Sequence, residues 1–444
     1  MMRSMYSGVS GLRVHQTRMD VIGNNIANVN TVGFKSGRVV FSDVFSQLSR
    51  GAGAPNADTG RGGTNPMQIG LGANVYSIDN LMMRGSVQRT DNPTDLAIDG
   101  EGFFIVRGGR FDTYKFTRAG NFTLDSVGNL VTPSGMNVMG WQMYTWDNDT
   151  KSYVFDTEQP LEEINIYSDV HNGNKRVIAP RASTMAEFMG NLDSEVADGK
   201  TFSVPYTVYD DIGNRTDLTI TFTPGALNAA GTEREWTYTI SGDVPAANIT
   251  MSNWTSTLGT TPGTITFGTA NSGSNGRVVN GDSITLTVIP VGLGSDIEIE
   301  IDFSNMTQYS SPSSVKATRV DGYTAGTFET FSIGSDGVIS AVYSNGQMLP
   351  LALIALAKFE NPAGLFKEGD NLFSQTTNSG AFTRGVPATY EGTGKIAPGT
   401  LEMSNVDLSR EFSDMIVTQR GFQANTRIIT TSDEMLMELV NLKR

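Results

Sequence analysis

From Leu408 onward, apolar residues fall at every seventh position: Leu408, Met415, Phe422, Ile429 and Leu436. A partner row at Phe412 and Val440 completes a 4-3 spacing, interrupted at Gln419, Thr426 and Asp433. Met5, Val9, Leu12, Met19, Ile22 and Ile26 repeat the pattern in shorter form near the other end. A seven-residue repeat keeps one stripe facing a partner along a gently supercoiled helix. The spacing predicts a helix over 2–29 and a second, about 35 residues long, starting after Asn405 or Asp407, either of which can cap it. Gly8, Gly11 and Gly23 each weaken the first helix by roughly 1 kcal/mol relative to Ala, so it is marginal alone. Length, terminal position and the glycine-rich stretches at 50–70 and 378–400 favour packing against another copy over packing on the chain's own β core.

Between these ends the period changes to two. Short strands are predicted at 75–81, 96–98, 102–106, 114–116, 121–124 and 130–131. The run Phe331 to Ile339 echoes Phe122 to Leu130 as strand, glycine-containing turn, strand. Thr-rich alternation at 202–208, 218–222, 236–240, 284–289 and 297–301 predicts an inserted β-sandwich or barrel, as one domain or two small ones. Residues 43–48 are expected to add a short helical turn, and 50–70 to form a linker without regular structure. The fold class is therefore mainly β with long terminal α-helices, in nested order. Terminal helices occupy 1–35 and 402–444, and an extended linker 36–72. An inner β domain occupies 73–144 and 316–401, with an outer inserted β domain at 145–315.

Composition narrows the picture. The 444 residues are 38% hydrophobic, with 49 glycines. No run approaches the roughly 20 apolar residues of a membrane span, so membrane insertion is not expected. The first 30 residues lack the continuous apolar core of a secretory signal. Cysteine is absent, which excludes disulfides, thiolate metal sites and cysteine nucleophiles. The net charge of −14 is uneven: residues 1–50 hold six Arg/Lys against two Asp, and residues 401–444 hold seven Asp/Glu against five Arg/Lys. The middle is strongly acidic, which argues against a nucleic-acid partner.

Chemistry finds little support. The two histidines, His15 and His171, stand at no metal-ligand spacing, and each is expected to be an ordinary surface polar group. Gly392-Thr393-Gly394-Lys395 looks like the end of a phosphate loop, but Thr389 and Ile396 break the rule. Gly60-Arg61-Gly62-Gly63 follows no strand and opens no helix. Asp147-Asn148-Asp149 with Glu158 has calcium-loop spacing, yet Ser152 stands where the sharp turn needs glycine. Asp210-Asp211-Ile212-Gly213-Asn214 reads as a hairpin turn rather than a carboxylate pair. No catalytic residue, cofactor or metal is expected.

The terminal motifs resemble a known family, the axial rod and hook proteins of the bacterial flagellum, and its hook branch most closely. The block from Ser4 to Leu12 looks like the family's opening, and that from Met19 to Lys35 is similar to its rod-and-hook motif. Ser404-Asn405-Val406-Asp407-Leu408 and the block from Met415 to Asn425 resemble its closing motif. Gly100 to Val106 is similar to the start of its first β domain. The resemblance implies export by the flagellar type III apparatus without signal cleavage. It also implies helical stacking outside the cell, with terminal helices lining a channel and β domains outward. The expected partners are copies of the chain, the rod, the hook-cap and hook–filament junction proteins, and the export apparatus. The apolar positions Met5, Val9, Leu12, Met19, Ile22 and Ile26, with Leu408, Phe412, Met415, Phe422, Ile429, Leu436 and Val440, are the expected assembly contacts. The long 50–70 segment leaves a distal rod protein as the runner-up, since some of those carry a comparable segment. A secreted β-rich adhesin and a surface glycan hydrolase need no paired heptads. Lack of cysteine rules out the cysteine-dependent subunit crosslinking of some members.

Overall fold

The computed structural model describes residues 2–442, apart from 56–59, 61, 109–112, 148–151, 172, 198, 228–232, 244, 246–247, 252–262, 269–274 and 290–293. Two helices bracket a β-rich body: α1, Met2–Ala27, and α2, Leu408–Asn441. The chain divides into two compact units. The first holds Met1–Asn172, Phe331–Ser340 and Pro350–Arg444, and the second holds Gly173–Thr330 and Ala341–Leu349. Residues 145–172 thus cluster with the first unit, and 316–330 with the second.

In the first unit the buried strand Phe103–Arg107 pairs antiparallel with Tyr114–Thr117 and Asn137–Trp141, and its Phe104 faces Leu356 of Met348–Ala357. Near-continuous apolar runs suit strands covered on both faces. Phe103, Phe116, Trp141, Phe359 and Phe373 fill one core, with ring pairs such as Phe116–Phe359 packed edge to face at 4.7 Å. The glycine-rich stretch at 378–400 is not a linker. Lys395–Pro398 pairs with Leu96–Asp99, and Thr400–Glu402 with Val87–Arg89, which carries the chain into α2 as part of the β body. The phosphate-loop look-alike lies there as a turn: Gly394 N–H donates to Glu101 O at 2.8 Å. A methyl group at Gly100 would stand 2.6 Å from Gly394 Cα, so these two glycines permit a close backbone approach.

Two expectations near the N-terminus are overturned. Residues 46–50 form a strand, Ser46–Arg50, not a helical turn, and it pairs with Met67–Gly70. Gly53 bridges Thr64, so the described part of 50–70 belongs to a hairpin instead of an irregular linker. Pairing between distant residues overrode local composition. Gly37–Asp43 likewise pairs with Ala73–Asn80.

The second unit buries alternate residues from two sheets in one core. Phe202–Tyr209, Arg215–Leu227 and Glu233–Gly242 supply residues such as Val208, Phe222 and Trp236; Met185–Asp193, Ser283–Val288 and Ile297–Asp302 supply Phe188, Leu286 and Ile299. Each unit has a turn of sequence Asp-x-x-Gly-Asn, and a third copy of the pattern, Asp20 to Asn24, lies within α1. At 125–129 and at 210–214 the aspartate carboxylate accepts from the backbone two and four residues on and from the asparagine amide. Gly128 and Gly213 take positive φ values of 97° and 86°. The turn at Gly334–Val338 repeats the backbone bonds of the turn at 125–129, which explains the sequence echo.

Candidate assembly site on the terminal helices

α1 and α2 lie antiparallel against each other, with small and polar groups among those between them. On α2 the buried positions are Thr418 and Ser432; on α1 they are Gly8, Val14, Ile22 and Asn25. A methyl group at Gly11 would approach the Asn425 amide to 2.8 Å, and one at Gly421 would approach the His15 ring to 2.7 Å. Gly8 likewise faces Ile429. Small residues bring the two backbones close, as in other glycine-seamed helix pairs. Gly23, by contrast, faces open space.

Polar contacts fix the register. Arg18 Nη2 lies 3.1 Å from Asp414 Oδ1. Asn25 Nδ2 donates to Glu411 Oε1 at 3.2 Å and to Gly37 O at 2.9 Å, and its Oδ1 accepts from Gly37 N at 3.0 Å. Burial, with help from Asp414, raises the Glu411 carboxyl above its ordinary value. His15 is a seam residue, not the surface group expected. Its Nδ1 is buried without a partner, its ring meets Phe41 edge to face at 6.0 Å, and burial, then Arg18, lowers its pKa.

The predicted apolar row is only partly covered. Ile22 is buried, while Met5, Leu12, Met19, Ile26, Met415, Phe422, Ile429 and Leu436 are half-buried. Val9, Leu408, Phe412 and Val440 are exposed. Ile416 and Val417, outside the predicted row, are 59% and 63% exposed. The structure thus brings the two rows onto one helix pair and leaves much of their apolar surface uncovered.

Where the helices meet the β body, an ionic cluster that sequence reasoning missed is buried. Lys35 Nζ lies 2.7 Å from Glu402 Oε1, and Arg118 Nη1 lies 3.3 Å from Glu402 Oε2, all three side chains being almost inaccessible. Lys35 also donates to Met83 O, Gly85 N donates to Glu402, and Arg118 stacks over Phe103 at 5.2 Å. Burial opposes the Glu402 charge, but Lys35 and Arg118 outweigh it and hold the carboxyl below its ordinary range. Gly33, at φ 68°, packs so tightly that a methyl group there would stand 2.6 Å from Ala119 N. Asn405 bonds Ser36 N, Leu81 O and Met83 O. Asp407, not Asn405, caps α2, accepting from Ser409 N and Arg410 N. Lys35 closes the N-terminal motif, but nothing in its spacing points to Arg118 or Glu402. Of the calcium-like loop, Asn148 and Asp149 lie outside the described residues, and no cluster of three or more metal-ligating side chains occurs among the described ones. No helix there is long and apolar enough to cross a membrane.

First and last helices that pair with each other, with the β-rich body threaded between them, are the architecture of a flagellar axial subunit. Four family models match in chain order. They are the flagella basal body rod protein over residues 5–35, the flagellar hook protein FlgE/F/G D1 domain over 97–174, the flagellar basal body protein FlaE D2 domain over 172–323, and the flagellar basal body rod FlgEFG protein C-terminal over 397–442. The chain is 41% identical to the flagellar hook protein FlgE of Borreliella burgdorferi and 37% identical to that of Treponema pallidum, each alignment covering all of both chains. It is also 31% identical to the flagellar basal-body rod protein FlgG of Bacillus subtilis, over all of both chains. The chain belongs to the flagellar hook protein family.

Proposed function

We propose that this chain is the structural subunit of the flagellar hook. It polymerises helically into a curved, flexible tube outside the cell, transmits motor torque to the filament and encloses an export channel, with no catalytic role. The observation that supports this best is the division within the helix pair. Gly, Ser, Thr and Asn hold α1 to α2, while Leu408, Phe412, Ile416, Val417 and Val440 stay exposed. Covering each such side chain in a polymer contributes roughly 1.5–3 kcal/mol, so a row of them favours assembly strongly.

In this reading Met5, Val9, Leu12, Met19, Ile22 and Ile26, with Leu408, Phe412, Met415, Phe422, Ile429, Leu436 and Val440, are the contacts between copies, directly or by shaping the helix pair. On the same reading the terminal helices form the inner tube, and the inserted β domain faces outward. The further partners are the rod, hook-cap and hook–filament junction proteins and the type III export apparatus. A distal rod subunit is the second reading, favoured by the hairpin of Ser46–Arg50 with Met67–Gly70 and by the FlgG relative. Electron microscopy of tubes grown from the intact chain separates the two: curved, flexible tubes are expected of a hook, and straight, stiff ones would make it a rod.

A further inference from the structure

A glycine directly after an asparagine is the pairing in which a backbone amide most readily attacks its neighbour's side chain, since glycine has no Cβ to crowd the approach. The sequence has four such pairs: Asn172-Gly173, Asn275-Gly276, Asn280-Gly281 and Asn345-Gly346. Asn172 lies outside the described residues. Of the other three, two are held. Gly346 N–H donates to Tyr343 O at 2.8 Å, the Asn345 amide donates to Thr324 O at 2.7 Å, and Asn345 Oδ1 accepts from Gln347 N at 3.1 Å. Gly276 N–H donates to Gly268 O at 2.6 Å, and Asn275 has a left-handed backbone, with φ 37°. A nitrogen or side chain fixed in this way must give up its hydrogen bonds before it can react.

Asn280-Gly281 is the exception. Gly281 N–H donates to Asn280 Oδ1 itself, at 3.1 Å, so the nitrogen and the carboxamide it would attack are already in contact. The Asn280 side chain is exposed, and among the described residues nothing holds its Nδ2 group. Glycine is required at 281 by the backbone: its φ is 80°, and a methyl group there would stand 2.5 Å from Thr264 O. The pair also marks a crossing between the two sheets of the second unit. Val278–Asn280 pairs with Gly263–Gly268 in one sheet, and Ser283–Val288 pairs with Ile297–Asp302 in the other.

We propose that Asn280 is a site of spontaneous covalent modification in the folded chain, converting to aspartate and isoaspartate ahead of Asn275 and Asn345. Gly281 N gives up its proton and bonds to Asn280 Cγ. The Cγ–Nδ2 bond breaks and ammonia leaves, carrying that proton, so a five-membered succinimide closes. Water then adds to one of the two carbonyl carbons and the ring opens. Cleavage at Cγ gives ordinary aspartate, whereas cleavage at the backbone carbonyl sends the chain through Cβ and Cγ as isoaspartate. Nothing is oxidised or reduced. Either product adds a negative charge, and isoaspartate adds one backbone carbon at the sheet crossing. The modification therefore records the age of the folded protein and loosens the second unit as it accumulates.

Ageing the full-length chain at neutral pH, native and in urea, with peptide mass spectrometry over time, tests the site. In urea the three pairs are expected to convert at similar rates. In the native chain Asn275 and Asn345 should slow by about tenfold or more, while Asn280 stays within a few-fold of its rate in urea. Native Asn280 slowed as much as the other two, or overtaken by either, would overturn the site. Asn280→Gln has a longer side chain that must close a less favourable six-membered ring, so it should remove the modified peptide. Its melting temperature should then hold on ageing, whereas that of the unaltered chain falls as isoaspartate accumulates. Conversion at Asn280 with no fall in melting temperature would overturn the loosening.

Discussion

Glu402 is the residue on which the junction between helices and β body turns. Its two oxygens divide between Lys35 and Arg118, in surroundings with almost no access to water. Glu402→Gln leaves two buried cations without a counter-charge, so it is expected to destabilise the first unit by about 3–5 kcal/mol, measured by denaturant unfolding. The acid response has a defined sign. Because the folded carboxyl titrates below its ordinary 4.5, its contribution is complete above that value and is lost as pH falls through the lower, folded one. Glu402→Gln should flatten that part of the stability profile. None of this was legible in the sequence, since Lys35, Arg118 and Glu402 are far apart and ordinary in composition. Their meeting depends on Gly33 and the strand Thr400–Glu402 reaching the same place.

At the scale of the element, the heptad rows correctly indicated two terminal helices but not which face holds them together. Polar positions one residue before the interruptions carry the seam: Thr418, Asn425 and Ser432 point inward, with Gly421 against His15, while Gln419, Thr426 and Asp433 are exposed. Three glycines that look alike in the sequence therefore differ. Gly23→Ala should stabilise the helix pair by about 1 kcal/mol, because nothing lies near the added methyl group. Gly11→Ala and Gly421→Ala should lower its melting temperature despite the same gain in helix propensity, because the methyl groups displace the packed Asn425 amide and His15 ring. Thermal unfolding followed by far-ultraviolet circular dichroism distinguishes the three; a uniform rise would show that the seam tolerates a wider spacing. The hairpin of Ser46–Arg50 with Met67–Gly70 shows the opposite limit of sequence reading. Its glycine-rich composition has no strand signal, and only the partner across the turn supplies the hydrogen bonds.

At the scale of the whole molecule, both terminal helices belong to the first compact unit together with its β strands. Truncation after Val406 retains Glu402 and Asn405 and removes all of α2, so it should leave a soluble, folded β monomer that forms no tubes by electron microscopy. Normal tubes from that chain would sink the assembly role of α2. The helical period, the switch to strand period, the absence of cysteine and the terminal motifs were set by the sequence alone, because each depends on spacing or on the presence of a residue type. They were enough to indicate the family and a mainly β chain with helical ends. Tertiary structure alone decided that small and polar groups meet between the helices, that part of their apolar rows remains exposed, and that Lys35, Arg118 and Glu402 share one buried site. The physical reason is that a periodic pattern says which residues share a face, whereas what covers that face depends on distant parts of the chain folding to the same place.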